Sequence, residues 1–146
     1  MTAEGRRPTA VPFKFESLEV WQLALAYNDL VYSLADKLPK SEDYNLKSQL
    51  IRASTSIALN IAEGSTSQSD AEQARFLGMA LRSLVETVAC LRLIQRRGYA
   101  IDPALAQETE LQGGKLFAKL QSFRSSIGPR QARELAANYE THEEQA

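Results

Sequence analysis

The chain has 146 residues, of which 44% are hydrophobic and 24% charged, and this composition excludes intrinsic disorder. Its length fits one domain. One cysteine, Cys90, and one histidine, His142, exclude a disulfide framework and a cysteine-based zinc cluster. No apolar run approaches the ~18 residues of a membrane span, and residues 1–13 lack the apolar stretch of a secretory signal. We therefore expect a cytoplasmic protein with no membrane partner.

The first two helices are predicted from apolar stripes at spacings of three and four residues. The first covers residues 17–38 and follows an N-terminal arm over residues 1–16 that we expect to be flexible. Pro39 ends this helix because proline disfavours helical conformation at the residue before it. The second covers residues 43–63, and we expect Gly64 to form a left-handed C-cap.

The third and fourth helices are predicted from their capping residues. The third opens with Ser69-Asp70-Ala71-Glu72, the pattern of a capping box, and ends at Gly98. The fourth opens with Asp102-Pro103, an N-cap followed by proline at the first helical position, and ends at Gly128-Pro129. Gly113-Gly114 interrupts it, so we expect a weak spot, a kink or the close approach of a neighbouring backbone there.

Four helices of similar length, joined by short links, predict an all-α fold, an antiparallel up-down-up-down four-helix bundle over residues 17–128. We expect Tyr99 and Ile101, in the third link, to plug one end of the bundle. Residues 129–146 are predicted to form a partly disordered C-terminal tail. Cys90 lies among apolar positions of the third helix and is predicted as a core residue rather than a nucleophile.

A polar ridge lies beside the apolar stripe of the second helix and ends at Glu63. If the second and third helices are antiparallel, Ser56 lies level with Met79 or Ala80. Arg52 then lies near Ser83, and Gln49 lies near Glu86. We predict an interhelical hydrogen-bond network with Arg52 and Glu86 as its charged pair, because small polar residues are poor helix formers without such a role. The network comprises Gln49, Arg52, Ser56, Asn60, Ser83 and Glu86.

Two alternatives to this network stay open. One is that the ridge is simply a solvated helix face. The other, less favoured, is a catalytic site, but a carboxylate, an arginine and a serine without a usable base or metal ligand make no standard active site. We therefore predict no catalytic residue, no metal site and no cofactor.

The net charge of −1 averages over an uneven distribution. Residues 1–74 carry 7 basic and 10 acidic groups, residues 75–133 carry 10 basic and 4 acidic groups, and residues 134–146 carry 4 acidic groups and no basic one. The middle section, at +6, can track phosphates along its helices. The candidate nucleic-acid-binding residues are Arg75, Arg82, Arg92, Arg96, Lys115 and Lys119.

Other features of the charge pattern bear on this candidate face. Arg124 lies further along the fourth helix, and Arg6 and Arg7 in the arm can add contacts that do not depend on base sequence. No aromatic residues interleave with the arginines, so a base-stacking platform is not predicted. The alternative is a solvated helix surface, and the acidic tail could fold back and screen the patch.

Several sequence elements resemble those of a known family, the 23S rRNA intervening-sequence or S23-type proteins, over about residues 13 to 127. These elements are Leu18-Glu19-Val20-Trp21-Gln22, Leu38-Pro39, Tyr44-Asn45-Leu46, Arg52-Ala53, Ser56-Ile57, Asn60-Ile61-Ala62-Glu63-Gly64, Ala80-Leu81, Ser83-Leu84 and Gly98-Tyr99. The resemblance implies a four-helix bundle and a homo-oligomeric ring of five subunits. The bundle is more distantly similar to the accessory variability determinant of diversity-generating retroelements, a basic pentamer that binds nucleic acid and partners a reverse transcriptase.

Two functions follow as expectations for a non-enzymatic homo-oligomer. The first is a nucleic-acid-associated module, binding RNA or DNA through the basic face of the third and fourth helices. The second is a protein-interaction scaffold or accessory subunit that recruits a partner such as a reverse transcriptase.

Overall fold

The computed structural model describes residues 13–127, and every regular element in that range is helical. Each helix packs against two neighbours, α1 against α2 and α4, and α3 against the same two. The described part of the chain is therefore an all-α four-helix bundle, as predicted. The four helices are α1 (Glu19–Ala35), α2 (Leu46–Gly64), α3 (Asp70–Arg97) and α4 (Pro103–Ile127).

Short 3-10 turns precede the first two helices and account for their later starts. Lys14–Ser17 forms one turn, and the Phe15 ring meets Trp21 edge-on with ring centroids 4.6 Å apart. Lys40–Glu42 forms the other, so α2 begins three residues after its predicted start. Residues 1–12, with Arg6 and Arg7, and residues 128–146, with the predicted end of the fourth helix and the tail, lie outside the described residues.

Two of the predicted helix caps form as expected. The Ser69 hydroxyl accepts a hydrogen bond from the Glu72 backbone N–H at 3.1 Å, while the Glu72 carboxylate accepts from the N–H of Gln68 rather than of Ser69. Asp102 accepts from the Ala104 N–H at 3.0 Å at the start of α4. These bonds occupy amides that a helix N-terminus leaves without partners.

The two predicted C-terminal glycines behave differently. Gly98 ends α3 in the left-handed conformation, with φ of 73°. Gly64 does not, and its predicted left-handed cap is wrong: it is the last helical residue of α2. A Cβ at Gly64 would lie 2.9 Å from the Cβ of Phe76 on α3, so glycine is needed there for close helix packing rather than for its backbone freedom.

The centre of the bundle contains a buried polar pair. Tyr27 on α1 and Thr87 on α3 are fully buried, and their hydroxyl oxygens are 2.8 Å apart in a hydrogen bond that crosses the core. Burial raises the pKa of Tyr27. The Thr87 hydroxyl also lies 2.6 Å from the backbone oxygen of Leu84, to which it can donate. Both hydroxyls are thus satisfied inside an apolar core, as buried polar groups require.

Helix α4 makes room for the Tyr27 ring. A Cβ at Gly113 would lie 3.0 Å from Tyr27 Cε1, whereas a Cβ at Gly114 would meet nothing within 4 Å. The helix is continuous through both glycines, so they do not divide it into two helices. The close approach predicted for a neighbouring backbone is made instead by the Tyr27 side chain.

One end of the bundle is closed by the link between α3 and α4. Tyr99 and Ile101 are partly buried and pack against the core, as predicted. The Tyr99 hydroxyl also donates a hydrogen bond to Glu42 Oε2 at 2.5 Å. Cys90, on the same half of α3, is 4% exposed, and burial raises the pKa of its thiol, in keeping with a core role.

Candidate nucleic-acid interface

Three predicted arginines occupy the outward face of α3. Arg75, Arg82 and Arg96 are spaced by seven and fourteen residues, which places them on one side of a helix, and all three are exposed. The Arg75 guanidinium carbon lies 4.9 Å from the centroid of the Phe76 ring, a cation–π distance. This packing limits the freedom of the Arg75 side chain.

A groove of about 450 Å³ runs between α3 and α4 at the end where α3 begins. Arg75 and Arg82 line it from α3, and Gln121 and Arg124 line it from α4. Arg124 Nε–H donates a hydrogen bond to the backbone oxygen of Ala74 at 3.1 Å. Three guanidinium groups from two helices therefore share one groove.

Two of the six predicted binding residues are engaged in ion pairs instead. Arg92 on α3 forms a bidentate ion pair with Glu110 on α4, and this hydrogen-bonded contact raises the pKa of Arg92. Lys119 Nζ lies 3.5 Å from Glu19 Oε1 on α1. Each of these cations has its charge compensated within the bundle, which makes it a weaker site for an external anion.

The last two predicted binding residues lie away from the groove. Arg96 and Lys115 are exposed, and neither forms an ion pair with a described residue. The structure thus brings Arg75 and Arg82 together with Arg124, and leaves the other four predicted residues separate.

The predicted polar network between α2 and α3 is present in part. The hydroxyl oxygens of Ser56 and Ser83 are 2.9 Å apart in a hydrogen bond between the helices. Asn60 Nδ2 donates to the backbone oxygen of Ser56 at 2.9 Å and to its hydroxyl at 3.1 Å. Gln49 instead donates to Asn45 Oδ1 within its own helix end.

The predicted register of this network is wrong by one helical turn. Ser56 faces Ser83 rather than Met79 or Ala80. The chain keeps coiling after α2, where the N–H groups of residues 65, 66 and 67 bond to carbonyls three or four residues earlier, and this displaces α3 along the bundle axis.

The predicted charged pair of the network does not form. Arg52 and Glu86 are both exposed, and no ion pair joins them in the described part of the chain. With the new register these residues lie at similar heights on α2 and α3, but their outward directions keep the charges in solvent. The polar ridge is therefore a hydroxyl and amide contact, flanked by solvated charges.

Sequence reasoning missed the convergence of Arg124 with the α3 arginines. The sequence places Arg124 on the fourth helix, but its distance from Arg75 depends on the relative height of α3 and α4, which helical periodicity does not supply. One signal was available in the sequence: Gly78, a glycine inside a helix, marks a point of close approach. In the structure that approach is made by the Arg124 side chain.

Between residues 13 and 127, no group of three or more His, Cys, Asp or Glu side chains is arranged to hold a metal ion. None of the described helices combines the length and apolar character that crossing a membrane requires.

Comparison with known proteins identifies the family. The model of the 23S rRNA-intervening sequence protein family matches residues 16–121. A crystal structure of a protein with unknown function from the S23 ribosomal protein family, from Bacteroides thetaiotaomicron VPI-5482, is similar with a TM-score of 0.65 and 25% identity. The similarity covers 72% of this chain and 97% of that one. No curated protein matches the sequence significantly. The chain belongs to the 23S rRNA-intervening sequence protein family.

Proposed function

We propose that this chain is a non-enzymatic, homo-oligomeric cytoplasmic module that binds RNA or DNA through the basic side of α3 and α4. The observation that carries the proposal is a set of arginines on that side that have no carboxylate partner among the described residues, Arg75, Arg82 and Arg124. Guanidinium groups of this kind that line one groove attract phosphate, and each phosphate contact releases counterions from the nucleic acid.

Repetition around an oligomer strengthens the proposed binding. A single groove offers few phosphate contacts, but a closed ring presents one groove per subunit to the same strand. Linked sites gain affinity because each further contact is intramolecular. The resemblance noted from the sequence implies a ring of five subunits, and we propose that number for this chain.

The exposed apolar side chains support self-association. Tyr32 on α1 and Leu59 on α2 are 46% and 55% exposed, and Leu111 on α4 is 66% exposed. A ring uses two different faces of each subunit, and these residues lie on different sides of the bundle. The same surfaces support the second candidate function, a scaffold that recruits a protein partner such as a reverse transcriptase.

A binding measurement with charge-matched variants tests the nucleic-acid proposal. Arg75→Gln/Arg82→Gln and Arg92→Gln/Lys119→Gln each remove two positive charges, but only the residues of the second pair have carboxylate partners within residues 13–127. We expect the first variant to bind a labelled 20-nucleotide RNA about tenfold more weakly and to reduce the slope of log affinity against log salt by about 1 to 2. The second is expected to change affinity about twofold.

The purified protein supplies an independent check. Light-scattering mass, measured together with the ratio of absorbance at two ultraviolet wavelengths, reports subunit number and any co-purified nucleic acid. A multiple of the monomer mass and retention of RNA or DNA at low salt are expected. A protein that retains neither RNA nor DNA at low salt contradicts nucleic-acid binding and favours the scaffold, and a monomer contradicts the oligomer.

A further inference from the structure

We infer that the groove between α3 and α4 is a phosphate-binding subsite organised by Arg124, with Arg75 and Arg82 completing it. This inference names the site on the protein that binds phosphate. It rests on the proposed function in one respect, that the phosphate belongs to a nucleic-acid backbone. The ligand chemistry itself is a phosphate group with at least two free oxygens.

Arg124 is held in place before any ligand arrives. Its Nε–H donates to the Ala74 backbone oxygen at 3.1 Å, which fixes the guanidinium plane against α3. The two terminal nitrogens have no partner among the described residues. A fixed guanidinium with both terminal nitrogens free is the arrangement that binds a phosphate through two parallel hydrogen bonds.

Gly78 provides the space for this guanidinium. A Cβ at Gly78 would lie 3.2 Å from both Cζ and one terminal nitrogen of Arg124, which is closer than an ordinary van der Waals contact. Glycine in the interior of a helix costs about 1 kcal/mol relative to alanine. The close fit of the Arg124 side chain explains why glycine occupies this position despite its lower helix propensity.

At the opposite end of α3 and α4, another arginine has a purely structural role. There Arg92 bridges α3 and α4 by binding both carboxylate oxygens of Glu110. Arg124 bridges the same two helices but finds only a neutral carbonyl. The first arginine has its anion within the bundle, whereas the terminal nitrogens of the second contact no carboxylate in the part of the chain that the structure describes.

The composition of the groove lining leaves its positive charge uncompensated. Arg75 and Arg82 add two cations to Arg124, and none of the described residues that line the groove is acidic. Glu86 is one helical turn from Arg82 but makes no ion pair with it. Like charges on neighbouring side chains repel, and a bound phosphate anion reduces that repulsion while it attracts the guanidinium groups.

Apolar residues of the groove strengthen these contacts. Val85 and Phe117 also line the groove, so a phosphate there exchanges part of its water for guanidinium donors. Electrostatic attraction is larger where nearby apolar groups lower the local dielectric. Gln121 adds a neutral amide donor at the α4 side.

The test uses substitutions that separate charge from geometry in the full chain. Arg124→Gln removes the anchoring charge, whereas Gly78→Ala keeps every charge and displaces the guanidinium by its new methyl group. Arg52→Gln is the charge control, since Arg52 is exposed on α2, outside the groove and away from the basic side of α3 and α4. Gly114→Ala is the methyl control, since its Cβ meets open space.

Two probes distinguish a free phosphate from a nucleic-acid backbone. Inorganic phosphate is titrated while the arginine Nε–H signals are followed by NMR, and the labelled 20-nucleotide RNA is titrated by fluorescence anisotropy at two salt concentrations. We expect Arg124→Gln to weaken RNA binding about tenfold and Gly78→Ala about threefold, with both controls within about twofold of the parent chain. In the Arg124→Gln background, Gly78→Ala is expected to have no further effect.

The outcomes separate this inference from the broader proposal. RNA binding that Arg124→Gln weakens no more than Arg52→Gln does overturns the subsite and leaves nucleic-acid binding standing. Phosphate-induced shifts at Arg124 with no RNA binding support the subsite and overturn the nucleic-acid proposal. An additive effect of Gly78→Ala and Arg124→Gln also overturns the inference, and circular dichroism of each variant verifies that it is folded.

Discussion

Glu42 is a carboxylate held by three hydrogen-bond donors at the closed end of the bundle, and its residue is only 7% exposed. Tyr99 donates to one oxygen at 2.5 Å, and the Asn45 amide and the Leu46 backbone N–H donate to the other at 3.1 and 3.3 Å. The Tyr99 hydrogen bond is the main cause that lowers the pKa of Glu42, and the same contact raises the pKa of Tyr99. One ionised side chain thus joins the start of α2 to the link after α3.

This contact predicts a specific acid response. Because the folded pKa of Glu42 lies below the value in an unfolded chain, about 4.3, Glu42 stabilises the fold above that value. That contribution is lost as pH falls through the folded pKa. We expect Glu42→Gln to unfold at lower urea concentration than the parent chain at pH 7, with the difference shrinking below about pH 4.

Urea denaturation between pH 3 and pH 7 measures this difference. Glu86→Gln is the control, because Glu86 is exposed and without an ion pair to any described residue. A constant gap between parent and Glu42→Gln across the whole pH range would show that the ionised carboxylate is not the stabilising form.

Single residues differed in how well the sequence predicted them. The Ser69 cap, the Asp102 cap and the end of the third helix at Gly98 followed from local rules, since each depends on its own few neighbours. The Tyr27–Thr87 bond did not, because these residues are 60 positions apart and both fit an apolar helix stripe. A tyrosine has an apolar ring and a polar hydroxyl group, and the sequence does not show which residue that hydroxyl group contacts.

At the scale of elements, α2 and α3 approach each other closely at Gly64. A Cβ there would lie 2.9 Å from Phe76 Cβ, an atom fixed to the α3 backbone. Helix existence and order were predictable from periodicity and caps, but the register of α3 against α2 was not. Register depends on how far the link coils after α2, and the three turn residues that set it carry no apolar pattern.

Two glycine substitutions test this packing with opposite expected signs. Gly64→Ala is expected to lower the free energy of unfolding by about 1 to 3 kcal/mol, because the methyl group forces α2 and α3 apart. Gly114→Ala, in open space on α4, is expected to raise it by about 0.5 to 1 kcal/mol through higher helix propensity.

Urea denaturation of both variants at neutral pH provides the measurement. If the free energy of unfolding falls with urea concentration at the same slope in both variants as in the parent chain, the free energies of unfolding of the two variants can be compared. If Gly64→Ala proves as stable as Gly114→Ala, the tight approach of α2 to Phe76 is refuted.

At the scale of the whole molecule, the bundle leaves apolar surface on several sides. Leu25 and Tyr32 are seven residues apart on α1 and therefore share a face, and Leu59 is exposed on the neighbouring α2. The sequence indicated an oligomer only through family resemblance, because an amphipathic pattern shows which side of a helix faces the core and not which outer residues stay uncovered.

The proposed subunit contact can be tested at Leu59. Leu59→Glu places a charge on the exposed α1–α2 side, and we expect the light-scattering mass to fall towards that of a monomer while helical content stays unchanged. Glu63→Gln, an exposed change on the same helix, is the control. A parent mass equal to one subunit, or an unchanged mass in Leu59→Glu, argues against this side as the contact.

The polar side chains of α2 also select the handedness of the bundle. Ser54 accepts a hydrogen bond from Asn28 on α1, while Ser56 meets Ser83 on α3, and the two serines point to opposite sides of α2. A mirror arrangement, with α1 and α3 exchanged around α2, could bury much the same apolar stripe but would separate both pairs. Two small hydroxyl groups, which add little to stability, thereby distinguish two topologies that hydrophobic burial alone leaves nearly equal.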